Sequence, residues 1–136
     1  MAKCKVLVID DEPFNVRILK LKLERSGHQV LSAPHGLRGL EVVRAERPEV
    51  VVVDIMMPVM DGREFCGLTE PLKREHPFLT VVVTSAADRE HRRWAGQFTR
   101  TLFMEKPVSP SGLLEIIDSY LTGEGGRGER SAQEVA

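Results

Sequence analysis

Val50-Val51-Val52-Val53-Asp54-Ile55-Met56-Met57-Pro58-Val59-Met60-Asp61-Gly62 is the stretch that decides the fold. Four consecutive valines are too short for a core helix and show no polar alternation. They read as a strand buried on both faces, which is a strand inside a parallel sheet. The run then stops in a carboxylate, and the residues after Asp54 carry turn formers instead of apolar periodicity. A buried strand therefore delivers an acidic side chain to its own C-terminal edge.

The same plan recurs outward in both directions. Val6–Ile9 is a second β-branched run, followed by Asp10-Asp11-Glu12-Pro13, where Pro13 suits a helix start. Val16, Leu19 and Leu23 recur at helical spacing until Gly27 stops the helix. His28–Ala33 reads as a strand, and Leu37, Leu40 and Val43 carry a helix that Pro48 ends. Gly62 to about Arg74 reads as helical, with Pro71 expected to kink or split it. Leu79–Val83 is a strand ending at Thr84, Asp88–Gln97 a polar helix, and Leu102-Phe103-Met104 a short fifth strand. Ser109 can cap a last helix with Pro110 at its first position and Leu113, Ile116, Ile117 and Tyr120 on its buried face. Five strand–helix units with fully apolar strands imply an α/β fold, an open parallel sheet with helices on both faces. From Gly123 onward the chain is Gly-rich and charged without apolar periodicity. One folded domain over residues 1–122 and a disordered tail over 123–136 are expected.

Bulk properties exclude several classes of function. The 136 residues suit one domain with a real core, and 42% hydrophobic with 29% charged residues is ordinary for a globular protein. A formal net charge of −1 gives no basis for direct nucleic-acid binding or attraction to an anionic membrane. No apolar run is long enough for a membrane span, and the N-terminus lacks a leader's apolar stretch. Cys4 and Cys66 have no metal-ligand spacing and read as reduced thiols, so a cytoplasmic location is expected. His28, His35, His76 and His91 read as structural or exposed, Asp61 as a turn or cap residue, and Trp94 as partly exposed.

The chemistry lies where strands end. Asp10 and Asp11 follow the first strand, Asp54 ends the third, Thr84 the fourth, and Lys106 follows the fifth. In an open parallel sheet, ligands bind outside the carboxyl ends of the strands, so these side chains converge on one rim. Carboxylates crowded together repel one another and call for a cation, and an all-oxygen donor set suits Mg²⁺. A lysine and a hydroxyl beside a metal-bound carboxylate are the requirements of phosphoryl transfer. Taken singly, each has an ordinary reading: a solvated helix-start pair, a strand-end residue, a surface lysine. The combination carries the argument.

Asp10-Asp11, then Asp54 through Gly62, then Thr84-Ser85-Ala86, then Lys106-Pro107 together resemble the response-regulator receiver domains of two-component signal transduction, over roughly residues 3–122. The resemblance implies a flavodoxin-like (βα)5 sheet in strand order 2-1-3-4-5. It implies that Asp54 is the phosphoacceptor and also a Mg²⁺ ligand, that Asp11 is a direct Mg²⁺ ligand and that Asp10 supports the metal largely through water. The backbone carbonyl of Met56 adds a further ligand. Thr84 and Lys106 contact the phosphoryl group, the Lys106–Pro107 peptide is cis, and Phe103 is the switch aromatic that turns inward when Thr84 moves. The implied partners are a sensor histidine kinase or histidine phosphotransfer protein and a downstream protein effector, with the chain a monomer or weak homodimer. The chain is then a signalling phosphoacceptor and not an enzyme, although it supplies part of its own phosphorylation and dephosphorylation chemistry.

Two features depart from the family pattern. Phe98-Thr99-Arg100-Thr101 stands where most receivers carry Gly-Ala before the fifth strand, and Pro71 interrupts the third helix. Met56 and Ala86, two residues after Asp54 and Thr84, are both apolar and cannot orient a hydrolytic water, so slow autodephosphorylation is expected. The competing functions are an aspartyl-phosphate phosphatase or phosphotransferase and a phosphorylation-independent pseudo-receiver. The first normally has Asp-x-Asp on the first strand and a cap domain. The second would lack Asp54, Lys106 or the acidic pair, and this chain keeps all of them.

Overall fold

The computed structural model describes residues 3–85, 94 and 96–123. Five strands lie within them: β1 (Lys5–Ile9), β2 (Gln29–Ala33), β3 (Val50–Asp54), β4 (Leu79–Thr84) and β5 (Thr101–Glu105). All pair in parallel in the order β2-β1-β3-β4-β5. Helices α1 (Pro13–Arg25), α2 (Gly36–Glu46) and α3 (Gly62–Thr69) and a C-terminal helix (Pro110–Thr122) complete the frame. The expected flavodoxin-like sheet and its strand order are the observed ones.

Strand alternation divides the core into two layers. Leu7, Ile9, Val51, Val53, Val82 and Phe103 face one side, where Leu40 and Val43 of α2 and Phe65 of α3 pack on them. Val6, Val8, Val50, Val52, Val81 and Val83 face the other, covered by Leu19 and Leu23 of α1 and by Leu113 and Ile117 of the C-terminal helix. Every residue of β3 is buried, and each such valine contributes about 1.5–3 kcal/mol over an exposed one. That explains why the run is continuous instead of alternating. From β1 the chain crosses to β2 on one side and then returns past β1 to β3, so a crevice opens between the C-terminal ends of β1 and β3.

Local signals account for most helix ends. Pro13 sits at the start of α1, and Gly27, at φ +95°, follows its last turn. Asp61 caps α3 by accepting the Glu64 N–H at 2.9 Å, and Ser109 caps the C-terminal helix by accepting that of Gly112 at 3.1 Å. Pro71 splits the third helical stretch as expected: α3 ends at Thr69 and a 3₁₀ turn runs over Glu70–Arg74. Two readings change. Leu37 does not join the buried face of α2; it is 48% exposed, because a helix that rests one stripe on the sheet turns position 37 away while 40 and 43 face inward. Trp94 is not partly exposed; only 5% of it is accessible, since it packs in the α2–α3 layer. Most of the expected Asp88–Gln97 helix and the tail beyond Gly123 lie outside the described residues.

His28 illustrates how a chain turn is sealed. It is buried, and its Nδ1 accepts the Cys4 N–H at 3.1 Å, which requires a neutral ring. Burial lowers its pKa from the ordinary 6.5, with the charge of Asp118 opposing. The unfolded chain therefore binds this proton more readily than the folded one. The His28 contribution to stability is complete above pH 6.5 and is lost as the pH falls through the lower, folded value. Between about pH 7.5 and 5.5, urea midpoints of the wild type should fall more steeply than those of His28→Gln. Parallel slopes would remove His28 as the cause.

Candidate functional site

Each site residue is placed by a strand end. Asp10 and Asp11 leave β1, and the Asp10 Oδ1 accepts the Glu12 N–H at 2.8 Å, fixing the turn into α1. Asp54 is the last residue of β3 and is buried. Its Oδ1 accepts the Met56 N–H at 2.9 Å, and its Oδ2 lies 2.8 Å from Lys106 Nζ. Carboxylate oxygens of Asp10, Asp11 and Asp54 all lie within 4.8 Å of one another. The sequence placed these four side chains on one rim, and the structure brings them together there.

The electrostatics follow from that crowding. Burial, foremost, raises the Asp10 pKa; the Glu12 N–H opposes it, and the charges of Asp54 and Asp11 add to it while Lys106 subtracts. Lys106 is pulled downward by burial, but its hydrogen bond and charge interaction with Asp54 and the fields of Asp10 and Asp11 outweigh this, so its pKa is raised. One ammonium thus faces three carboxylates, a net negative cluster of hard oxygen donors. That donor set and spacing fit a small divalent cation such as Mg²⁺.

The loop after β3 is shaped by a close backbone approach. The Gly62 N–H donates to Ile55 O at 3.1 Å, and a Cβ on Gly62 would stand 2.8 Å from Ile55 Cα and 3.1 Å from Asp54 O. Only glycine lets α3 start so near the end of β3. Val59 takes a left-handed φ of +71°, and Met60 N–H donates to Pro58 O at 2.8 Å, closing a tight turn. The Met56 side chain is 65% exposed on this loop, while Ala86 lies outside the described residues. A cavity of about 420 Å³ opens on the other side of Asp54 and Lys106, between α1 and Pro107-Val108, over Val8, Val52 and Val83.

Thr84 and Phe103 lie on the same sheet face. Val82 pairs with Phe103 and Thr84 with Glu105, so Thr84 stands two residues beyond Val82 on that face. The Thr84 Oγ1 donates to Ser85 O at 3.3 Å, and Lys106 N–H donates to Thr84 O at 2.8 Å, linking the ends of β4 and β5. The Lys106–Pro107 peptide is cis. Phe103 is 1% exposed, with Trp94 packed edge-to-face on it at 5.8 Å between centroids. Its ring lies in the core, in the layer with Val82 and Phe65. Sequence reasoning missed the Trp94 contact and the close approach at Gly62. Gly62 was visible as a residue, but what it touches was not.

An open five-stranded parallel sheet with an acidic pocket at the C-terminal ends of β1 and β3 defines a CheY-like α/β domain. The family model for the response regulator receiver domain matches residues 6–118, and the chain belongs to that family. Among curated relatives, Protein PilH of Pseudomonas aeruginosa is 33% identical over 122 residues, covering 88% of this chain and 98% of PilH. Alkaline phosphatase synthesis transcriptional regulatory protein PhoP of Bacillus subtilis is 35% identical over 107 residues, 78% of this chain. The chain matches only 43% of that relative's length. A CheY-like receiver domain protein from Methanospirillum hungatei superposes with a TM-score of 0.81 at 26% identity, covering 90% of this chain and 97% of that one. Chemotaxis protein CheY4 of Vibrio cholerae gives 0.77 at 26% identity, covering 86% and 98%. Among the described residues no helix is long and apolar enough to cross a membrane.

The contact at Gly62 makes a direct prediction. Gly62→Ala should destabilise the domain by about 1–3 kcal/mol, because backbone atoms of Asp54 and Ile55 block the new methyl and cannot rotate away. Gly67→Ala, with nothing within 4 Å of its added methyl, is the control and should not destabilise. Equal thermal midpoints for the two variants would contradict the close approach.

Proposed function

We propose that this receiver domain accepts a phosphoryl group on Asp54 in a Mg²⁺-dependent reaction and passes the signal on by protein–protein contact. The observation that carries the proposal is the Lys106 ammonium 2.8 Å from Asp54 Oδ2, with two further carboxylates, Asp10 and Asp11, grouped beside it. The Met56 N–H on Oδ1 orients the Asp54 carboxylate. An Asp54 oxygen attacks phosphorus in line as the bond to the donor's leaving group breaks. Lys106 then pairs with a phosphoryl oxygen and the Thr84 hydroxyl donates to another. Asp10, Asp11, Asp54 and the Met56 carbonyl would hold Mg²⁺, whose charge would supply electrostatic relief for the transferring oxygens. The chain in this reading is a phosphoacceptor and turns over no separate substrate.

Receiver domains of this family interact with histidine kinases and effectors, and a sensor histidine kinase or phosphotransfer protein is the proposed donor here. Phe14, Ile18 and Leu21 form an exposed apolar stripe on α1 beside the cavity at Asp54. That surface suits a donor protein that must bring a phosphohistidine to the pocket.

Incubation with acetyl phosphate and Mg²⁺ should add one phosphoryl mass to the wild type and none to Asp54→Asn, whose amide cannot act as the nucleophile. Full labelling of Asp54→Asn would reject the assignment. Mg²⁺ should bind weakly, and Asp11→Ala should abolish the NMR shifts it causes; identical titrations would place the metal elsewhere. The phosphoryl group should also decay more slowly in the wild type than in a Met56→Asn, Ala86→Glu double variant. Equal or faster wild-type decay means that these positions do not set the lifetime.

A further inference from the structure

The two departures from the family pattern, Pro71 and the segment Phe98-Thr99-Arg100-Thr101, meet in space. Pro71 ends α3 and starts the 3₁₀ turn, which points Glu70 and Lys73 at the chain entering β5. Lys73 is buried, and its ammonium donates to Thr99 O and, at 3.3 Å, to Thr101 Oγ1. It lies 3.5 Å from Glu70 Oε1 and 5.1 Å from the centroid of the Phe78 ring. Glu70 in turn accepts the Thr99 N–H at 3.1–3.2 Å and the Thr99 hydroxyl at 2.7 Å. Thr101 Oγ1 donates back to Thr99 O at 2.9 Å. Arg100 between them takes a left-handed φ of +49° and stacks on Tyr120 of the C-terminal helix, 5.7 Å from its ring.

Lys73 is buried and Glu70 only partly so, and an ion pair of this kind adds little net stability; what these two residues do is fix, by their hydrogen bonds, the groups they touch. Those groups lie at the entrance to β5. That strand is an edge strand with β4 as its sheet neighbour, and its entrance is tied to β4 by the Thr80 N–H, which donates to Arg100 O at 2.8 Å, and on its other side by the Glu70–Lys73 turn. The residue immediately before the clamped Thr99 is Phe98, whose ring meets Trp94 edge-to-face at 5.8 Å and 71°. Trp94 makes a second edge-to-face contact, at 5.8 Å and 80°, with Phe103. A chain of contacts thus runs from Lys73 through Thr99 and Phe98 to Trp94 and Phe103.

We propose that the Glu70–Lys73 turn is a clamp that positions the entrance of β5 and, through Phe98, seats Trp94 on Phe103. Lys73 is then a positioning residue for the aromatic end of the switch. This rests on the reading of Phe103 as part of that switch. The clamp sets how tightly Trp94 is held, and so how readily a signal at Asp54 can release it. Lys73 is remote from the carboxylate cluster and takes no part in the phosphoryl chemistry.

Trp94 is the single tryptophan of the chain, so intrinsic fluorescence reads its packing directly. The measurement uses the full chain without phosphodonor, and also in an Asp54→Asn background. Lys73→Met, which keeps the stem and removes the charge, and Glu70→Gln, which keeps the shape, should each shift Trp94 emission to the red. Acrylamide quenching should rise by about twofold or more while far-UV dichroism stays native. Lys73→Arg, which keeps the charge, should return the reading toward wild type. Acetyl phosphate should still label Asp54 in the Lys73 and Glu70 variants. Wild-type emission and quenching in a folded Lys73→Met or Glu70→Gln protein would overturn the clamp. Should Lys73→Met not fold, Glu70→Gln decides by the same readings. Hydrogen exchange on the wild type needs no variant: the Thr99 amide must be protected, and free exchange there also overturns the proposal. Loss of Asp54 labelling in the wild type would instead refute the phosphoacceptor reading, leaving the fluorescence result to stand separately.

Discussion

Like charges held close together are the constraint on which the rest of this molecule depends. Asp10, Asp11 and Asp54 bring carboxylate oxygens within 4.8 Å of one another at the end of a buried sheet, and a single ammonium, Lys106, leans on one of them. Such a group of charges is costly, and it persists because the frame beneath it cannot relax. The frame is β1 and β3, whose residues pair directly from Val6↔Val50 to Ile9↔Val53 and are buried on both faces. To separate the carboxylates, those strands would have to slide, and a slip of one residue would turn both core layers inside out.

That tension also organises the loops. The turn after Asp54 is tight because Gly62 must approach Ile55, and at the start of α2 a Cβ on Gly36 would likewise stand 2.9 Å from Met60 O. The Asp54 carboxylate is steered by the Met56 N–H on one oxygen and by Lys106 on the other. Lys106 in turn is tied by its own backbone N–H to Thr84 O. The ends of β3, β4 and β5 thus form one hydrogen-bonded rim that joins Asp54, Lys106 and Thr84. Phe103, two residues into that strand, lies under Trp94. The two cysteines stay outside this system: burial raises both thiols to about 12, which keeps them protonated and unreactive.

The architecture was legible in the sequence because the signals that specify it are local. Four valines in a row say that a strand is buried on both sides; Pro13, Asp61, Ser109 and Pro110 mark helix starts by the chemistry of their own backbone. The convergence of Asp10, Asp11, Asp54 and Lys106 was legible too, since every parallel strand ends at the same edge and residues at strand ends must share it. Pro71 announced a break, and the break came between Thr69 and Glu70.

What the sequence could not state is which side chains touch across long separations. Leu37 has the same apolar character as Leu40, yet only the placement of α2 on the sheet decides that one is exposed and the other buried. His35 caps α2 with its ring nitrogen, an uncommon role that depends on the local backbone geometry. Trp94, in a polar segment, is buried because the layer it joins with Leu40, Val43 and Phe65 comes from distant parts of the chain. Lys73 is an ordinary helix-end lysine by sequence; it becomes a buried cation only because Thr99 and Thr101, 26 and 28 residues away, wrap around it. Periodicity and turn chemistry act over a few residues and so are written in the chain itself. Contacts over such separations exist only once the sheet has closed, and there the tertiary structure alone decides.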